Sequence, residues 1–359
     1  MESPDVVAAV IAWYDAHRRD LPWRRGDVTP WGVVVSEFML QQTPVARVLE
    51  PWRAWMERWP EPEALAAEPS SAAVLAWGRL GYPRRALRLH EAAQIMTERW
   101  AGRVPDRLED LRSLPGFGDY TAAAVACFAF GARVVVLDTN IRRVFARLDE
   151  GRQFPSTSPT VAERGRAAAW LDLVPTSSSE EGRNSASGES VAVSLGAAQA
   201  PSSSLSPGHQ SSSSHSDARG GDDGSSFVQR RPVVRWNLGL MELGSLVCTA
   251  RNPTCDVCPI QEACVWRESG CPAWDGPPRT GQSWHGTDRQ CRGRLLAVLR
   301  EAAGVGDGAV PRDALIAEVT QLTTSATAPR EAAEHQVIRC LESLLADGLA
   351  RREGDNVLL

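Results

Sequence analysis

The chain has 359 residues, 43% of them apolar, and a formal net charge of −5. Its length accommodates two or three domains and its apolar content is enough for a real core. All 39 basic residues are arginine, so Schiff-base nucleophiles and phosphate-loop chemistry that need a lysine amine are excluded. The opening MESPDVVAAV carries two acids and no basic residue, so no signal peptide is expected. The longest apolar runs, such as Val33–Val35 and Val134–Leu137, are too short to cross a bilayer, and a cytoplasmic protein is expected.

In chain order, Val6–His17, Val33–Leu40, Val45–Trp59, Ala72–Leu80, Ala86–Trp100 and Tyr120–Phe130 repeat apolar residues at helical spacing. Pro and Gly mark the joints, at Pro30, Pro44, Pro60–Pro62, Gly81–Pro83, Pro105 and Pro115–Gly116. No alternation of strand and helix appears, so an all-α architecture is expected. From about Thr176 to Gln229 the chain turns Ser-rich, with no aromatic before Phe227, and such a segment is expected to be disordered. Helical character resumes at Val233–Leu246 and is followed by a Cys-rich stretch. The last segment, from about Arg289, reads as three helices and a short strand pair, Leu349–Arg352 with Val357–Leu359, the pattern of a small winged-helix-like module. Charge is unevenly spread: residues 230–300 hold ten arginines against six acids, whereas 301–359 hold five against ten. A polyanion responds to the local patch, so the net sign does not exclude DNA.

Two motifs carry chemistry. Cys248, Cys255, Cys258 and Cys264 form C-x6-C-x2-C-x5-C, a thiolate set that suits a tetrahedral metal or an iron–sulfur cluster. A single C-x2-C with unequal flanks favours [4Fe–4S] over the paired knuckles that zinc usually takes. Cys127, Cys271, Cys291 and Cys340 lack such spacing and read as buried hydrophobes or surface thiols. Upstream, Leu114-Pro115-Gly116-Phe117-Gly118 opens a helix through a tight turn whose backbone N–H groups can grip a phosphate.

Together these motifs resemble the helix–hairpin–helix DNA glycosylases, and further segments point to the MutY-type adenine glycosylases. Ser36–Val45 (SEFMLQQTPV) is similar to that family's S-E-x-M-L-Q-Q-T-x-V signature, and Leu137–Val144 (LDTNIRRV) to its L-D-x-N-V-x-R-V stretch. Pro22-Trp23-Arg24, Leu80-Gly81-Tyr82 and Met241–Gly244 fit as well. The resemblance spans about residues 10–170 and 230–270. It implies a two-lobed fold: an N-terminal helix (1–29), a six-helix barrel with the hairpin (30–137), and a cluster lobe (138–270) interrupted by the insert 176–229. A linker (271–288) and the C-terminal module (289–359) complete the chain.

The resemblance also implies roles. Glu37 would be the general acid that protonates adenine at N7, and its apolar flanks would raise its pKa. Asp138 would stabilise or trap the oxocarbenium-like sugar, with Tyr120 and Asn140 supporting the site. Gln41, Gln42 and Tyr82 would wedge the duplex open around a flipped nucleotide. Trp23, Arg24 and Leu40 would line the adenine pocket. Leu114, Gly116 and Gly118 of the hairpin, with Arg142, Arg143 and Arg251, would meet phosphates. Tyr120 stands where bifunctional relatives place a lysine, so a monofunctional enzyme is implied. The substrate would be double-stranded DNA with adenine opposite 8-oxoguanine or guanine, met by a monomer at the nucleoid. The alternatives are a same-fold glycosylase for another base, such as thymine opposite guanine, and a non-enzymatic iron–sulfur DNA-binding protein. Leu238 departs from the Gln or Glu frequent in the family. The tail is too short and too helical for the Nudix-like domain with which many members recognise 8-oxoguanine.

Overall fold

The computed structural model describes residues 3–176, 228–277, 284–324 and 329–359. The first lobe is built from α2 (Pro30–Leu40), α3 (Val45–Arg58), α4 (Pro62–Ala66), α5 (Ser70–Trp77), α6 (Arg84–Trp100), α7 (Leu108–Ser113) and α8 (Asp119–Phe130). The short helices α4 and α7 are additions to the elements read from periodicity, which a single turn of helix cannot display. Local chemistry sets the starts: Pro30 occupies the first turn of α2, while the Thr29 hydroxyl accepts the Gly32 N–H at 3.2 Å. Every residue of α2 from Trp31 to Met39 is buried. The hairpin seats against it, with Phe38 and Phe117 edge-to-face at 5.2 Å.

The second lobe joins α1 (Ser3–His17) to α9 (Thr139–Leu148), α10 (Val161–Asp172), α11 (Pro232–Leu246) and the short α12 (Val265–Glu268). Helix α1 packs along α11, and Arg235 pairs with Asp15 across that seam. Thr160 and Glu163 form a reciprocal capping box at the start of α10. Helix α8 belongs to both lobes: Ala122, Val125 and Ala126 enter the barrel core, while Ala123, Ala124, Cys127 and Phe128 enter the second core. Most of the Ser-rich insert lies outside the described residues. Its expected end needs moving, because Gln229 is buried and donates to the Phe128 carbonyl at 3.3 Å. Arg231 donates to the carbonyls of Phe130 and Gly131, and Arg133 to those of Leu171 and Val174. Residues before and after the insert are thus tied to one corner, Phe128–Arg133.

The C-terminal module runs α13 (Asp288–Val305), β1 (Val310–Pro311), α14 (Arg312–Thr323), α15 (Arg330–Ala346), β2 (Arg351–Glu353) and β3 (Asn356–Leu358). Its antiparallel sheet has the order β1-β3-β2, with Val357 opposite both Val310 and Arg352, the winged-helix arrangement. The two-residue β1 was absent from the sequence reading because so short an edge has no periodicity. Leu295, Leu299, Val337 and Leu341 are continuous with the barrel core. Trp274, in the expected linker, packs edge-on against Phe154 at 5.9 Å, so this stretch lies on the second lobe. No described helix is long and apolar enough to cross a membrane.

Gly116 makes the hairpin possible: its φ is +81°, and a Cβ there would sit 2.8 Å from the Phe38 ring and 3.1 Å from Arg88 Cβ. Gly116→Ala is expected to destabilise the protein by about 2–4 kcal/mol through backbone strain and overpacking. Gly118→Ala, with open space around the new methyl, is the control and should cost little. Urea denaturation compares them, and equal stability of the two variants would contradict this account of the turn.

Candidate active site and cluster loop

Three elements bring the chemistry together. Glu37 sits on the buried α2, Tyr120 in the first turn of α8, and Asp138 is the N-cap of α9. The Tyr120 hydroxyl donates to Glu37 Oε2 at 2.8 Å. Glu37 is only 5% exposed, and loss of hydration pushes its pKa up to about 7, against the pull of the Tyr120 hydrogen bond and the Arg24 charge. Asp138 adds to the upward push, so the two carboxyl groups share one electrostatic environment. Burial raises Asp138 too, yet it is better supplied with donors: Ile141 N–H at 2.6 Å and the Asn140 amide at 2.8 Å. Hydrogen bonds from N–H groups favour the charged form. The two carboxyl groups are therefore differently equipped: Glu37 meets one hydroxyl donor, and Asp138 two N–H donors.

Arg24 reaches the same region from the 3-10 turn Pro22–Arg24. It pairs at 2.5 Å with Glu242, which is fully buried on α11 and also grips Arg19 in a fork at 2.8 and 2.9 Å. Glu242 thereby balances a cation close to Glu37. Trp23, expected at the adenine pocket, is buried edge-to-face against Trp52 at 5.9 Å, and Leu40 is half-buried in the barrel.

Behind Asp138, Asn140 Oδ1 accepts from Arg143 at 2.9 Å. Arg143 also donates to the carbonyls of Gly244 at 2.6 Å and Cys248 at 2.8 Å. One guanidinium thus connects the carboxylate's amide partner to the backbone of the Cys-rich loop. Helix α11 can approach this closely because residue 244 is glycine: a Cβ would lie 2.7 Å from that of Asn140. Arg142 is equally committed, to the buried Glu163 at 3.0 Å and to Ser156. The expectation that Arg142 and Arg143 meet phosphates is thereby corrected, since both are buried and turned inward. Arg251 remains exposed on the Cys-rich loop.

The candidate wedge lies at the rim of the first lobe. Gln41 donates to Thr121 at 3.1 Å, and Gln42 and Tyr82 have φ of +55° and +47°. Arg85, which sequence reasoning passed over, holds both turns. Its buried guanidinium donates to the carbonyls of Phe38 (2.7 Å), Gln41 (2.5 Å) and Gly81 (2.9 Å), and to the Thr43 hydroxyl (3.1 Å). It also lies 5.6 Å from the centre of the Tyr82 ring. The hairpin turn is partly open: Leu114 is buried, whereas Gly118 is exposed and caps α8 without a side-chain partner.

Cys248, Cys255, Cys258 and Cys264 line one cavity, together with Arg147 and Trp266. Four cysteine side chains facing one cavity are the donor set that an iron–sulfur cluster takes. Arg147 clamps the loop, donating to Cys248 Sγ at 3.2 Å and the Thr249 carbonyl at 2.9 Å while stacking 4.5 Å over Trp266. The Arg143–Arg147 spacing of one helical turn on α9 was the signal available for this role.

Residues 35–167 match the family described as HhH-GPD superfamily base excision DNA repair protein, and residues 248–264 match the iron-sulfur binding domain of endonuclease III. The chain is 43% identical over 346 residues to the adenine DNA glycosylase of Mycobacterium tuberculosis H37Rv, covering 96% of this chain and 90% of that protein. The adenine DNA glycosylase of Mycolicibacterium smegmatis is 39% identical, with 96% and 92% covered. Among solved structures, a thermostable thymine-DNA glycosylase superposes with a TM-score of 0.52 at 23% identity, covering 74% of this chain and 97% of its own, a likeness of fold.

Burial of Glu37 has a thermodynamic signature. Because its folded pKa stands near 7 and its unfolded value near 4.5, the native state binds the extra proton between these limits. Stability should therefore fall as pH rises from about 4.5 to 7, by about 3 kcal/mol from this group, and change no further above that. Glu37→Gln should be more stable than the parent at pH 8, with the gain vanishing towards pH 4.5. A pH-independent difference in urea denaturation would show that Glu37 is not buried in this way.

Proposed function

Because this chain belongs to the MutY-type adenine DNA glycosylases of the HhH-GPD superfamily, we propose that it excises adenine mispaired with 8-oxoguanine or guanine, without cutting the strand. As an adenine DNA glycosylase it breaks the bond between the base and its deoxyribose in DNA, and it carries a [4Fe–4S] cluster. The observation that carries the mechanism is a buried Glu37, hydrogen-bonded by Tyr120, in the electrostatic reach of an Asp138 held by the Ile141 N–H and the Asn140 amide.

Glu37 delivers its proton to N7 of the extruded adenine, making the base a neutral leaving group. As the glycosidic bond lengthens, positive charge gathers on the sugar, and Asp138 faces it as the anion or traps it covalently before water completes hydrolysis. Tyr120 holds the acid in place and Asn140 the carboxylate. The absence of lysine anywhere in the chain, with Tyr120 at the hairpin, supports a monofunctional reaction. Gln41, Gln42 and Tyr82 fill the space left by the flipped nucleotide, at the cost of a few kcal/mol of unstacking. The exposed hairpin turn and Arg251 bind backbone phosphates. Cys248, Cys255, Cys258 and Cys264 hold the cluster, which supplies a rigid cross-link for the DNA-facing loop, and hydrolysis itself requires no electron transfer. The enzyme works as a monomer on chromosomal DNA at the nucleoid.

Duplexes carrying A:8-oxoguanine, A:G and T:G test the specificity, with adenine expected to be released from the first two and thymine retained. Release of thymine alone would overturn the assignment. Glu37→Gln and Asp138→Asn should each lose at least a hundredfold in single-turnover excision while still binding the duplex, and undiminished turnover in both would refute their roles. The rate should fall as pH rises through about 7, where Glu37 gives up its proton. Borohydride should leave no enzyme trapped on DNA, whereas a covalent adduct would reveal an amine nucleophile.

A further inference from the structure

Tyr82 belongs to the barrel, yet the other end of the chain holds its hydroxyl. Arg289, in the first turn of α13, donates to Tyr82 Oη at 2.8 Å. Its guanidinium lies 5.8 Å from the centre of the Tyr82 ring and 5.3 Å from that of Trp284. Arg85 approaches the same tyrosine from the barrel at 5.6 Å, so guanidinium groups from two domains contact one ring. Tyr82 is 38% exposed and Trp284 49%, and this aromatic–cationic cluster faces solvent. The module is firmly seated beside it: Arg84 pairs with Asp347 at 3.0 Å, Arg300 donates to the Val74 carbonyl, and the apolar cores are continuous.

We propose that Arg289 is a positioning residue for Tyr82, and that the C-terminal module is thereby part of the apparatus that opens the duplex. The inference rests on the reading of Tyr82 as a wedge. A wedge does its work by entering a base stack, and a phenol free to swing about its Cα–Cβ bond would lose much of its thrust. The left-handed backbone at Tyr82 fixes the turn, and Arg85 braces it from the barrel side. Among the described residues, Arg289 is the group that holds the hydroxyl, and it does so from a helix of the C-terminal module. Cation and aromatic rings together also form the kind of surface on which nucleobases stack. The acidic composition of residues 301–359 agrees with this division of labour, in which the module acts through Tyr82 at the joint and not through phosphate contacts of its own.

The test uses the full-length protein and a duplex with 2-aminopurine at the target position, whose fluorescence rises on extrusion, alongside single-turnover excision from an A:8-oxoguanine duplex. Tyr82→Ala should abolish most of the fluorescence rise and slow excision strongly. Arg289→Met and Tyr82→Phe remove the same hydrogen bond from its two ends, and each should lower extrusion and excision by about five- to tenfold at unchanged melting temperature. Arg289→Lys should restore part of the loss, and the Arg289→Met, Tyr82→Phe double variant should be no worse than either single one. If Tyr82→Ala is impaired while Arg289→Met and Tyr82→Phe extrude fully, the positioning role is overturned and the wedge reading stands. If Tyr82→Ala is itself unimpaired, both fall. Losses that multiply in the double variant would also overturn the proposal, because the two groups would then act independently.

Discussion

A carboxylic acid keeps its proton near neutral pH only where water cannot reach its anion, and here that condition is met by a helix with no solvent-facing side over nine residues, Trp31–Met39. Burying α2 this completely takes apolar surface on every side of it, which the barrel and the hairpin supply together through Phe117 and the alanine-rich α8. Helix α8 repeats the device on a larger scale. With apolar side chains all round, it buries opposite faces in two cores, so its first residues emerge where the lobes meet. Tyr120 is set there, within hydrogen-bonding distance of Glu37 and in the electrostatic reach of Asp138. The acid, its hydroxyl partner and the opposing carboxylate thus owe their meeting to packing.

Around that centre the internal scaffolding is made of guanidinium groups. Arg85, Arg143 and Arg147 are buried, and their partners are mostly backbone carbonyls rather than carboxylates. An arginine fork can satisfy several carbonyls at once in fixed directions, which an ammonium on a flexible stem does less well. Each fork joins segments distant in sequence: α2 to the Gly81–Tyr82 turn, Asn140 to the Cys-rich loop, and α9 to the Cys248 sulfur and the carbonyls that follow it. Carbonyl dipoles compensate such a charge only in part, and desolvation brings Arg85 down to about 10, still fully charged at neutral pH.

Much of this was legible in the linear chain. The fold class, the cysteine set and the glycine hairpin each show as local patterns with one dominant physical cause. Arg142 and Arg143 show where such reading stops: two arginines after a helix N-cap look like phosphate contacts, and only the returning α11 and the capping box of α10 reveal that they turn inward. The Arg19–Glu242 fork bridges 223 positions, a separation at which neither partner marks the other. The same holds for Arg289 and Tyr82, 207 residues apart. Helices α4 and α7 and strand β1 escaped because elements of five, six and two residues are too short for a periodic signal, whereas α9 and α10, ten and twelve residues long, were passed over although they are long enough to carry one.

The corner at Phe128–Arg133 anchors the chain both before and after the Ser-rich insert, through Arg133 on one side and Gln229 with Arg231 on the other. A connection whose two ends are pinned at one place is, in polymer terms, a ring closed at a single node. The framework that carries Glu37 and Asp138 is therefore fastened at this node by the described flanks on either side of it, so that loss of Arg133, Gln229 or Arg231 would loosen both strands of the chain at one knot.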